Sequence, residues 1–70
     1  MTPLAMANAG ETGVIQEVTG RDEMRRHLAE LGLSVGERVT VVSEAGGGMV
    51  LAVNENQIPL DKTVAMRILI

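Results

Sequence analysis

The sequence predicts a small, mainly β fold: a partly open barrel of about five short strands, with one α-helix inserted after the first strand. Three observations carry this. Short runs rich in β-branched residues recur between clusters of Gly, Asn and Pro, as strands between turns do. Only one stretch changes period, with Met24, Leu28 and Leu31 at the i, i+4, i+7 spacing of a helix face. The 70 residues are 46% hydrophobic but include no Phe, Tyr or Trp. The core must therefore be aliphatic, and a chain of this length buries only about 60% of its unfolded surface, so that core is thin.

Taken in order, residues 1–12 read as a lead-in packed on the barrel, with Leu4 and Met6 turned toward the core. The first strand is "GVIQEVT", in which Val14, Ile15 and Val18 surround polar Gln16 and Glu17. "TGRDEMRRHLAEL" is the helix. Thr19 and Asp22 resemble a capping box with Asp in place of the usual Glu or Gln, and Asp22 precedes Arg26 at ion-pair spacing. Gly32 follows the last residue of the apolar stripe, where a helix commonly ends in a left-handed residue. Leu33 then folds back on the last turn, so Leu31 and Leu33 fasten a sharp helix-to-strand corner. "SVG" completes the turn and "ERVTVVS" is the next strand.

"AGGG" is a hairpin loop leading into the strand "MVLAV", and "NEN" is the next turn. "QIPL" is a short strand at a sheet edge, because Pro59 has no N–H to give to a ladder. "DKTVA" forms one helical or turn-like corner. "MRILI" closes the barrel, with Met66, Ile68 and Ile70 inward and Arg67 outward. Neither a repeat nor a linker interrupts the chain, which reads as a single domain over residues 1–70.

Composition excludes several functions. Without aromatic side chains the chain cannot line a groove for proline-rich peptides or stack the bases of single-stranded nucleic acid. A net charge of −3 and a pI near 4.9 weigh further against nucleic acid. There is no cysteine for a disulfide or thiolate site. The start, "MTPLAMANAG", lacks the basic and apolar regions of a signal peptide, and no apolar run approaches the roughly 18 residues of a membrane span. The expectation is a cytoplasmic protein that does not itself insert into a membrane.

Candidate sites are few. His27 has Glu23 one turn before it and Glu30 nearly one turn after it, an imidazole and two carboxylates on one flank. The functional reading is a weak site for a divalent metal, iron or zinc; the structural reading is a solvated flank with incidental ion pairs. No cofactor is required by either. Gly46, Gly47 and Gly48 lack the following Lys-Ser/Thr pair and helix of a phosphate-binding loop, and read as a hairpin tip. One histidine and no cysteine leave little for catalysis, and the expectation is a non-enzyme. "MVLAV" is apolar on both faces, Met49, Leu51 and Val53 on one and Val50 and Ala52 on the other. Either both faces are covered, or Met49, Leu51, Ala52 and Val53 mark a docking surface for a partner or a second copy.

The run "HLAELGLSVGERVTVV", a glycine-rich hairpin and "IPLDKTVAMRILI" together resemble the FeoA family of ferrous iron transport proteins. The matching positions are Leu28, Leu31, Gly32, Leu33, Gly36, Val39 and Val41, then Leu60, Ala65, Ile68 and Ile70, with Leu4, Gly10 and Val14 agreeing at the start. The resemblance implies an SH3-like β-barrel, related to the C-terminal domain of iron-dependent repressors similar to the diphtheria toxin repressor. It also implies a non-enzymatic accessory protein of bacterial ferrous iron uptake. Such a protein binds and regulates FeoB, a membrane transporter with a GTP-binding domain, at the inner face of the membrane. The alternatives are a sensor module that binds a divalent transition metal directly, and a scaffold barrel that forms homo-oligomers.

Overall fold

The computed structural model describes residues 1–70 and contains six strands and two helices. After a single 3-10 turn at Leu4–Met6 come β1 (Thr12–Val14), β2 (Glu17–Val18), α1 (Asp22–Glu30), β3 (Arg38–Ala45), β4 (Gly48–Val53), β5 (Asn56–Asp61), α2 (Lys62–Ala65) and β6 (Ile68–Leu69). All strand pairs are antiparallel. One sheet has the order β1-β3-β4-β5; the other pairs β2 with β6. The expected edge position of "QIPL" is met: β5 pairs only with β4, and Pro59 lies opposite Val50.

The predicted first strand is two strands in two sheets. The chain leaves β3 after Val14 and joins β6 at Glu17. Between them Ile15 donates to the Glu37 carbonyl at 2.9 Å and Gln16 to the Leu69 carbonyl at 2.7 Å. Ile15 is buried at this crossing, so the apolar pair Val14 and Ile15 runs into the change of partner. Gly13 permits a close approach here. A Cβ at that position would sit 2.9 Å from Cδ1 and 3.1 Å from Cβ of Ile70.

The helix-to-strand corner forms as expected at Gly32 (φ +92°), but a different leucine fastens it. Leu33 N–H donates to the Leu28 carbonyl at 2.8 Å and Gly32 N–H to the Ala29 carbonyl at 2.9 Å. This is the Schellman pattern, in which apolar residues flanking the cap share the core. Leu28 and Leu33 are both fully buried, whereas Leu31 is 38% exposed. The start of α1 also differs. Arg21 occupies the N-cap position without a side-chain cap, because the Thr19 hydroxyl donates instead to the Arg67 carbonyl at 3.1 Å. Asp22 pairs with Arg25 rather than Arg26.

The core contains fifteen buried residues, all hydrophobic, drawn from β2 to β6, both helices, the lead-in and the connections at Ile15 and Leu33. Leu4, Ala5 and Ala7 belong to it, while Met6 and Met66 point to solvent. Pro3 bridges to Leu69, and Thr2 and Ile70 exchange two backbone hydrogen bonds of 2.8 Å. Val42 is an extra residue in β3, marked by a register shift between Val41 and Ser43. Such a bulge sharpens the local twist and helps a sheet curl toward closure.

Candidate functional site

An open groove of about 650 Å³ lies between α1 and the hairpin ends of β3, β4 and β5. Met24 and His27 face it from α1, Val50 and Met49 from β4, Pro59 and Leu60 from β5, and Val64 from α2. Apolar residues dominate because the groove is the open end of the core: Met24, Leu60 and Val64 are half-buried and pack against it. Beside the groove, Lys62 Nζ lies 3.0 Å from Glu44 Oε2 and the Lys62 N–H donates to the Gly47 carbonyl at 2.9 Å. That ties α2 to the β3–β4 hairpin tip.

A second concavity, of about 610 Å³, lies at the start of α1. It is lined by Gly20, Arg21, Glu23, Met24, His27 and Arg67. His27 and Met24 line both, so they stand on the ridge between an apolar groove and a charged hollow.

Of the metal-site candidates, Glu23 and His27 share the second concavity and Glu30 does not line it. No three His, Asp or Glu side chains are grouped so as to hold a metal ion. Helical rise explains this: seven positions separate Glu23 from Glu30 by about 10 Å along the axis, too far for one coordination sphere with bonds of about 2 Å. The docking candidates divide by face. Alternation along β4 is as expected, but Met49, Leu51 and Val53 point into the core. Only Ala52 of the four lies on the outer face, half-buried beside Val50. The sheet needs one face for its core, and the three larger side chains supply it.

The groove itself escaped sequence reading because its walls come from five separate elements. The available signal was Met24, an apolar residue a full turn before the buried Leu28. Arg67 read simply as an outward strand residue; its juxtaposition with Arg21 depends on the contact between Thr19 and the α2–β6 corner.

Comparison with known proteins is consistent at every level. A protein of Methanocaldococcus jannaschii, provisionally described as Fe(2+) transport protein A, is 23% identical over 70 residues, covering 100% of this chain and 85% of its own. The crystal structure of an iron uptake regulatory protein, FeoA, superposes with a TM-score of 0.91 at 24% identity, over 96% of this chain and 91% of that one. FeoA of Stenotrophomonas maltophilia, solved with zinc and described as an SH3 domain protein, gives 0.81 at 25% identity, over 94% and 85% of the two chains. The same barrel recurs within a manganese-dependent transcriptional repressor, with a TM-score of 0.86 at 23% identity, over 94% of this chain but only 38% of the repressor. The FeoA domain family matches residues 2–70. With the sequence matched almost end to end and the SH3-like barrel superposing throughout, the chain belongs to the FeoA family.

Proposed function

We propose that this chain is a cytoplasmic, non-enzymatic accessory protein of ferrous iron uptake. It binds the GTP-binding part of a FeoB-type membrane transporter and biases that transporter's conformational state. The observation that carries the reading is the FeoA family match over residues 2–70. The S. maltophilia relative is described as a candidate activating factor for ferrous iron transport, which supports the same role. The apolar groove beside α1 is the surface best suited to a partner segment, since interface cores are apolar and poor in charge. Binding shifts the transporter only insofar as the groove grips one of its states more tightly than another.

The test is an NMR titration of the labelled chain with the cytoplasmic GTP-binding domain of its cognate transporter, with and without nucleotide. Saturable shifts at Met24, Val50, Leu60 and Val64 that differ between nucleotide states are the expected result. No shifts at high partner concentration would remove this pairing. A mass that rises with concentration in the absence of any partner would favour a self-associating scaffold.

Zinc in the S. maltophilia relative supports a second reading, direct binding of a divalent metal. His27 and Glu23 are the pair available for it, and two ligands make a weak site. Calorimetric titration with Zn²⁺ decides: on this reading His27→Ala loses the binding, and equal affinity in the variant rules the pair out.

A further inference from the structure

The hollow at the start of α1 is set apart by two arginines that make no ion pair. The chain carries nine Asp and Glu against six Lys and Arg, so carboxylates are in surplus. Its two ion pairs join Arg25 to Asp22 and Lys62 to Glu44. Arg21 and Arg67 pair with no carboxylate, yet both line this one concavity, with Glu23 as its single acidic residue. Two guanidinium groups against one carboxylate leave an excess of positive charge in the hollow of an acidic protein.

The two arginines come from distant parts of the sequence, and the main chain holds those parts together. The Arg67 carbonyl accepts hydrogen bonds from the Thr19 N–H at 2.7 Å and from the Thr19 hydroxyl at 3.1 Å. The Arg67 N–H donates to the Val64 carbonyl at 3.0 Å. The backbone of Arg67 is thus fixed against both the loop before α1 and the end of α2. Its side chain runs along Gly20, where a Cβ would lie 3.4 Å from Arg67 Cδ and 3.5 Å from Nη1. An arginine seated in this way loses less freedom on binding than one that swings in solvent.

We infer that this concavity binds an oxyanion of the phosphate class, with Arg67 and Arg21 as its donors. A guanidinium presents a planar fork that matches two oxygens of a phosphate. Two forks arriving from different elements suit a tetrahedral group, whose oxygens point in several directions, better than a planar carboxylate. The volume accommodates a phosphate or a diphosphate. The site shares only His27 and Met24 with the apolar groove, and it stands whether or not that groove receives a transporter.

The experiment is a titration of the ¹⁵N-labelled chain with sodium pyrophosphate at constant ionic strength, with a parallel titration using GDP. The expected result is saturable shifts at the amides of Gly20, Arg21, Glu23 and Arg67. Arg67→Gln and Arg21→Gln should each weaken binding about tenfold, the loss expected for one charge-assisted contact. Arg38→Gln removes the same charge from an exposed arginine outside the hollow and should leave affinity unchanged. All three side chains are exposed, and undisturbed core resonances will show that the variants fold. Equal affinities for GDP and pyrophosphate would identify the phosphates as sufficient; tighter GDP binding at the same residues would identify a nucleotide as the source. Non-saturating shifts with pyrophosphate, or an equal loss in Arg38→Gln, would overturn the inference.

Discussion

Asn54 and Glu55 close the β4–β5 hairpin with φ of 48° and 71°. Positive φ at both central positions is the mark of a type I′ turn, for which Asn-Gly is preferred. Asn tolerates that region; Glu does so at a steric cost. Glu55→Gly should therefore stabilise the domain by about 1 kcal/mol, seen as a higher urea midpoint. A lower midpoint would mean that the Glu55 side chain contributes more than its backbone costs. Gly32 gives the opposite case. A Cβ there would meet Val53 Cγ1 at an ordinary 3.5 Å, so the obstacle to substitution is the backbone angle and not space. Gly32→Val should cost more than about 1 kcal/mol, and an unchanged urea midpoint would remove the argument. Both signals differ in legibility. Gly after an apolar stripe announces a cap, whereas nothing in "NEN" shows that Glu takes the second left-handed position.

At the scale of the element, β4 separates structural from surface roles within five residues. Leu51 is fully buried and Ala52 is half-buried on the outer face. Leu51→Glu buries an unpaired charge and is expected to unfold the domain. Ala52→Glu should retain the native circular dichroism spectrum and thermal transition, which makes it the usable probe of the outer face. If Leu51→Glu folds normally, the assignment of faces is wrong. The later strands, the helix and the corner at Gly32 were legible, because each rests on local period and punctuation. The split of the first strand was not. Val14 and Ile15 continue one pattern, and only the distant Glu37 and Leu69 decide which sheet each neighbour joins. The same limit applies to capping: Thr19 has the right chemistry for a box, but Arg67 offers its hydroxyl a carbonyl 48 positions away. Helix phase likewise puts Glu23, His27 and Glu30 on one flank, whereas the about 10 Å between Glu23 and Glu30 lies in the rise along the axis.

For the whole molecule, the lead-in is part of the core. Leu4 is fully buried, and Ala5 and Ala7 lie with it against strands and helix that come much later in the chain. Removing residues 1–7 should lower stability by at least the about 2–5 kcal/mol expected for a buried leucine truncated to alanine. In a chain with so small a core that loss consumes much of the total; urea unfolding of the trimmed chain measures it, and a native midpoint would exclude the lead-in from the core. The reciprocal hydrogen bonds between Thr2 and Ile70 have a further consequence. They act as a clasp, closing the backbone into a ring without a covalent bond. The ring can then be opened at a loop instead of at the clasp: a circular permutant joined by a short linker across Thr2 and Ile70 and opened between Gly46 and Gly47 cuts no strand-paired residue and should keep the native circular dichroism spectrum.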